Sequence, residues 1–230
     1  MDSELYKIGN ECFTDKIYHH GYHRFYNKYI DKNITQMLEI GIDSGASLSM
    51  WLKYLSNCFI WGMDINIEKQ GERFHIIQGD QSNISDLNKI ISTIQPNNLD
   101  LIIDDGSHIP EHQILSFIYL FDKLLKNGGI YIIEDIETSY WKRNGLYNYR
   151  TNYGINHPMN IINIFTKVLH LINREFISPS DLNSLKFFID RKIIDSISTI
   201  TFGQNCIIIK KKEDYEYDFL DRHYRFSQNI

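Results

Sequence analysis

Leu99-Asp100-Leu101-Ile102-Ile103-Asp104-Asp105-Gly106-Ser107-His108 is a short apolar run that ends in two adjacent carboxylates, a glycine turn and a histidine. The pattern returns at Gly129-Ile130-Tyr131-Ile132-Ile133-Glu134-Asp135. Short Ile-rich runs bounded by turn signals read as buried strands. Both runs therefore end in acids at their C-terminal tips, and in an open α/β sheet ligands sit in the crevice beyond those tips. Two acid pairs and an imidazole that meet there make a hard-oxygen metal site with a proton acceptor beside it.

Upstream, Gln36-Met37-Leu38-Glu39-Ile40-Gly41-Ile42-Asp43-Ser44-Gly45-Ala46-Ser47-Leu48-Ser49-Met50-Trp51-Leu52 reads as strand, glycine-rich turn and helix. Leu48, Trp51, Leu52 and Leu55 share one helical face. Gly41 and Gly45 permit close backbone approach to a ligand, and a helix starts near Ser44 to Ser47. A dinucleotide site needs Gly-x-Gly-x-x-Gly, which is absent. Glu39 and Asp43 also place negative charge where a pyrophosphate would lie, so a cationic cofactor suits this loop better. The next strand, Cys58 to Ile65, carries Asp64 at its end, roughly twenty residues past the loop, the spacing at which an acid caps ribose hydroxyls. A third, Phe74 to Gln81, ends in Asp80 and Gln81 after a glycine, an acid and an amide able to accept from the exocyclic amine of adenine. Strand alternation points Asp104 away from Asp105, toward the cofactor. Each acid alone could be a turn or N-cap residue. Three of them in register at successive strand ends favour a binding role.

Residues 1–33 are aromatic and charged and read as a helical cover packed on the body. His19, His20 and His23 lack the cysteines of a zinc site, and only the first and last have helical spacing. Helices are expected over 86–93, 110–126 and 159–172, with a closing hairpin about Gly203-Gln204. The irregular stretch 136–158, rich in Tyr, Asn and Gly, has the length of a functional lid. No repeat or linker divides the chain, so residues 1–230 are expected to form a single domain.

A 43% hydrophobic content in 230 residues supports a sizeable core, and the net charge of -5 argues against a nucleic-acid backbone as partner. Three scattered cysteines give neither a disulfide framework nor a thiolate zinc site. No membrane span or signal peptide is legible, so a cytoplasmic location is expected.

Five β-α alternations followed by an antiparallel hairpin resemble the class I S-adenosylmethionine-dependent methyltransferases. This implies an α/β, Rossmann-like, seven-stranded, mostly parallel sheet. The resemblance covers roughly residues 10 to 212. It is most specific to the metal-dependent macrolide sugar O-methyltransferases, through Thr14-Asp15-Lys16 with His20-Gly21-Tyr22, Leu38-Glu39-Ile40-Gly41, Ile103-Asp104-Asp105-Gly106-Ser107-His108, and Ile133-Glu134-Asp135 with Thr138 and Tyr140-Trp141. The long N-terminal domain of those enzymes is not matched.

The resemblance implies Mg2+ held by Asp105, Glu134 and Asp135, with His108 as general base. Glu39, Gly41, Gly45 and Ser47 would hold the methionine end of S-adenosylmethionine, Asp64 the ribose, and Asp80 or Gln81 the adenine. Tyr22, Tyr140 and Trp141 are the candidate acceptor contacts. The expected partner is a small-molecule or glycan acceptor, with a homo-oligomer allowed and neither nucleic acid nor membrane involved. A catechol O-methyltransferase of the same fold is the second reading. A non-catalytic cofactor-binding scaffold is the third, and the intact Asp105, His108, Glu134 and Asp135 set argues against it.

Overall fold

Strands β1 (Gln36–Ile40), β2 (Phe59–Asp64), β3 (Lys69–Gly71), β4 (Phe74–Gln78), β5 (Leu99–Asp104), β6 (Leu125–Glu134), β7 (Ile197–Gly203) and β8 (Cys206–Lys211) form one sheet in a computed structural model of the chain. Their order is β3-β4-β2-β1-β5-β6-β8-β7. The structure describes residues 3–142, 151–185 and 187–219. Strands β1, β2, β4, β5 and β6 run parallel, and β8 lies antiparallel between β6 and β7.

The sheet has eight strands where seven are expected. The extra one, β3, pairs antiparallel with β4 from Lys69↔Ile76 to Gly71↔Phe74. Lys69 and Gln70 are exposed, so this short edge carries no apolar alternation to read. A second irregularity lies at Asn127-Gly128-Gly129. Strand β6 already pairs Leu99↔Leu125, and the register shifts before Leu101↔Ile130. The glycines, with Gly128 at φ +76, absorb that irregularity.

Both faces of the sheet are covered, so all six residues of β5 are buried, as in a parallel sheet sandwiched between helices. On one face, Ile102 packs with Phe117, Phe121 and Phe165, supplied by the helices Pro110–Leu124 and Ile161–Ile172. On the other, Leu101 and Ile103 pack with Trp51, Leu5, Ile17, Tyr22 and Tyr26. The helices are α1 (Glu4–Glu11), α2 (Asp15–Tyr18), α3 (His23–Tyr29), α4 (Ala46–Tyr54), α5 (Ile84–Thr93), α6 (Pro110–Leu124), α7 (Ile161–Ile172), α8 (Pro179–Ser184) and α9 (Arg191–Asp195). Local chemistry sets their starts. Ser3, Asn83 and Asn160 accept from the backbone N–H of Tyr6, Ser85 and Ile162, and Pro110 opens α6.

The N-terminal cover is three short helices. Phe13 (φ +54) and Gly21 (φ +66) lie in the left-handed region between them, where a helix cannot continue. Of the expected lid, residues 143–150 lie outside the described residues. So do 220–230 of the tail. No helix among the described residues is long and apolar enough to cross a membrane.

For the site, the register matters most. Ile40 pairs with Asp104, and Asp104 with Ile133. The residues that follow, Gly41, Asp105 and Glu134, therefore leave the sheet side by side. Asp64 ends β2 opposite Gln78.

Candidate active site

A cavity of about 590 Å³ opens beyond these tips, walled by the loop after β1, Asp64, Asp80 and Gln81 on one side and by Asp105, His108 and Asp135 on the other. Asp15 and Asp43 also line it, and no lysine or arginine does among the described residues. Such a wall repels a pyrophosphate and accommodates a cationic ligand.

The loop half is fixed by the chain's own backbone. Gly41 has φ +86, and a Cβ there would lie 2.1 Å from the backbone oxygen of Asp105. Only glycine lets the β1 tip pass so close to the β5 tip. Gly45 has φ +83, but a Cβ there would meet open space. It is needed for the turn, and it leaves room in front of α4. The Asp64 carboxylate accepts four main-chain N–H bonds, from Ile42 and Asp43 on one oxygen and from Asn66 and Ile67 on the other, at 2.8–3.1 Å. An ionised carboxylate has about four lone-pair sites, so Asp64 serves first as the clamp of the loop. Hydrogen bonding to Ser82 holds Asp80 below the usual carboxylate range.

Several expected cofactor contacts lie beneath the cavity. Glu39 is fully buried and accepts from Ser47 Oγ at 2.9 Å and Trp51 Nε1 at 3.1 Å. Burial pushes its carboxyl up. Asp104 is equally buried, and both its oxygens accept from Gln81 Nε2 at 3.0 and 3.2 Å. Burial raises it to about 6. Gln81 lines the cavity, but its side chain is consumed. Besides Asp104 it donates to Ser116 Oγ at 2.8 Å and accepts from Ser107 N at 2.5 Å. These groups therefore shape the pocket floor. The reason is that the strand tips are buried on both faces, and a buried polar group must find its partner inside the protein.

The acid half is built differently. Ligand atoms of Asp105, His108 and Asp135 lie within 4.8 Å of one another. His108 Nε2 is 3.8 Å from Asp135 Oδ2. His108 and Asp135 have φ +56 and +50, a conformation costly for residues with a Cβ and common at functional sites. Each is held there. Thr138 Oγ1 donates to the His108 carbonyl, and Asp135 accepts from Tyr22 Oη and from Asn205 Nδ2 at 2.9 Å. His20 Nδ1 adds a contact at 3.4 Å.

Glu134 stands outside that group of three. Its carboxylate is buried, 2.5 Å from Lys16 Nζ, and accepts from Tyr26 Oη. Lys16, quoted above for its motif and given no role, is the site residue that sequence reasoning missed. Its Nζ is also 2.5 Å from Asp105 Oδ2 and 3.6 Å from Glu39 Oε1. Burial alone would lower the pKa of this ammonium, but the three carboxylates outweigh burial and hold it above its ordinary value. Asn205 was missed too. It sits in the β7–β8 turn, where only the folded hairpin carries it to Asp135.

Tyr22, expected against an acceptor, is 1% exposed and supports Asp135 from below. Burial, and after it the neighbouring carboxylates, push its phenol far above the usual range. Tyr140 is 50% exposed, and neither it nor Trp141 lines the cavity. The segment around them is pinned where it is described. Tyr153 N donates to Trp141 O at 2.8 Å, and Asn160 Nδ2 to Ser139 O at 2.8 Å. Among the described residues, His19 and His23 join no metal-ligating group.

The residues fit both implied groups. Glu39, Asp105 and Glu134 share the single ammonium of Lys16, and Asp135 stands beside Asp105, so acids outnumber the cation there. Carboxylates with one imidazole are a donor set for a hard divalent ion. The space in front of Gly45 and the acidic wall suit a cationic ligand.

No protein-family model matches the chain. It is 30% identical over 211 residues to mycinamicin VI 2''-O-methyltransferase of Micromonospora griseorubida, covering 83% of this chain and 49% of that protein. It is 33% identical over 142 residues to 8-demethyl-8-alpha-L-rhamnosyl tetracenomycin-C 2'-O-methyltransferase of Streptomyces olivaceus, covering 58% of this chain and 36% of that protein. Among solved structures, the MycE methyltransferase from the mycinamycin biosynthetic pathway, in complex with Mg and SAH, superposes with a TM-score of 0.75 at 25% identity, over 93% of this chain and 55% of that one. The chain thus spans about half, or less, of the length of the curated relatives it matches. In sequence and in fold, this chain is a homologue of the macrolide sugar O-methyltransferases, with the Rossmann-like sheet of a class I methyltransferase.

Proposed function

We propose that this chain is an S-adenosylmethionine- and Mg2+-dependent O-methyltransferase acting on a sugar hydroxyl of a glycan, nucleotide-sugar or glycosylated natural product. The observation that carries the reading is the convergence of Asp105, His108 and Asp135 within 4.8 Å, on the rim of the cavity that the Gly41–Gly45 loop walls. Its nearest support outside the chain is the relatives named as sugar O-methyltransferases and the MycE structure holding Mg and SAH. When bound, the two groups supply an electrophilic methyl on a sulfonium and a Lewis acid that lowers the pKa of the acceptor hydroxyl from near that of water, ~15.7.

The chain's own residues then have distinct tasks. Asp105 and Asp135 would hold the cation, with Glu134 behind them. His108 would take the hydroxyl proton at Nε2 as the sugar oxygen takes the methyl group from the sulfonium, which leaves as a thioether. An imidazole, which can accept a proton at one nitrogen, suits that task. Asp135, 3.8 Å away, orients the ring and stabilises it once protonated. The Asp64 clamp keeps the loop shaped for the donor, and Asp80 faces its base. Tyr140 and Trp141, on the pinned part of the 136–158 segment, offer flat faces to a sugar ring.

The reading treats residues 1–230 as one methyltransferase domain working in the cytoplasm, supported by the free Cys12, Cys58 and Cys206. The test is mass spectrometry of mycinamicin VI, nucleotide-sugar and catechol panels incubated with methyl-labelled S-adenosylmethionine. Label on a sugar oxygen that disappears in EDTA and returns with Mg2+ is the expected result. Label confined to catechols, or transfer undiminished in EDTA, overturns it.

A further inference from the structure

Lys16 is a buried cation at the site that the mechanism above leaves idle. It is 2% exposed, and its Nζ bridges Asp105 Oδ2 and Glu134 Oε2 at 2.5 Å each. Glu39 at 3.6 Å completes the ring. The three acids are not equivalent. Glu134 also accepts from Tyr26, and Glu39 from Ser47 and Trp51. Asp105 is partly exposed at 21%, faces the cavity and belongs to the metal-ligating group. Among the described residues, Lys16 is the donor its carboxylate has.

We propose that Lys16 is a built-in counter-cation of the metal site, which offsets part of the charge of Asp105 and Glu134 in the metal-free chain and competes with the divalent ion for Asp105. The inference rests on the metal reading of that site. Its physical content is that two cations share one carboxylate. The ammonium spares the empty cluster the mutual repulsion of its acids. The same charge repels an incoming ion and raises that ion's dissociation constant. Metal-free stability and metal affinity must therefore move in opposite directions when the ammonium is removed. A lysine with a packing role alone would move both downward together.

The experiment is a calorimetric Mg2+ titration of the full chain, wild type and Lys16→Met, with thermal melts in EDTA and in Mg2+. The variant should bind Mg2+ about tenfold tighter or more, as expected for removing a like charge from a weakly screened site. It should also melt lower in EDTA and recover in Mg2+. Equal or weaker Mg2+ binding by the folded variant overturns the inference alone. Binding by Lys16→Met where the wild type shows none supports it. Binding by neither overturns both the inference and the metal reading. Should Lys16→Met fail to fold even in Mg2+, the wild type decides. Its Lys16 ammonium ¹H–¹⁵N signal, protected by burial, should shift at Mg2+ saturation, and an unmoved signal sinks the idea.

Discussion

The two walls of the cavity contain similar residues used in opposite ways. On the loop side, Asp64 has four main-chain donors and Gln81 is bonded to Asp104, Ser107 and Ser116. Both of these side chains are answered by groups of the chain itself. On the acid side, three carboxylates share one ammonium, and His108 and Asp135 sit in the left-handed region. One wall is complete as folded. The other is left electrostatically open, and strain is stored there. Completed walls give shape, whereas open ones give chemistry, because only an unneutralised group has free energy left to gain from a ligand.

The sharpest way to break this contrast is on the acid side. His108→Ala should lower kcat by ~10²–10⁴-fold, the usual range for losing a general base, while S-adenosylmethionine affinity by calorimetry stays within twofold (~0.4 kcal/mol). Asp105→Asn should instead weaken Mg2+ binding. An unaltered rate in the His108 variant would make the two walls equivalent.

On the loop side, stability is the expected casualty. Gly41→Ala forces a Cβ to 2.1 Å from a backbone oxygen at φ +86, and denaturant unfolding should show a loss of roughly 3 kcal/mol. Asp64→Ala strips four N–H groups of their acceptor and should cost about 2–3 kcal/mol as well as cofactor affinity. A change in affinity at unchanged stability would make Asp64 a ligand contact and not a clamp. The smallest effect lies away from both walls. Burial pushes the Cys58 and Cys206 thiols up to about 12, so a disulfide reagent at pH 8 should modify Cys12 in the native chain and reach the other two only after denaturation.

Much of this was readable in the one-dimensional pattern. The Ile-rich runs announce buried parallel strands because their period and composition are local properties, and the acids at their ends follow from the register any such sheet adopts. Asp105, His108 and Asp135 are therefore legible as a group. The edge strand β3 is not, since a solvated three-residue edge needs no pattern. Glu39, Asp104 and Glu134 stand at strand tips, where the folded chain meets them with Ser47 and Trp51, with Gln81, and with Lys16 and Tyr26. Their sequence context says that a carboxylate stands at a strand tip and is silent on which donor will meet it.

Sequence alone thus determined the order of strands and turns, the acidic character of the crevice and the candidate base. Tertiary structure decided which acids face the cavity and which are spent inside. It brought Lys16 from α2 to Asp105 and Glu134 across 89 and 118 residues, Tyr26 to Glu134, and Asn205 from the last hairpin to Asp135. The physical reason is that patterning and turn chemistry act over a few residues, whereas neutralising a buried charge depends on whatever the packed chain places within about 3 Å of it.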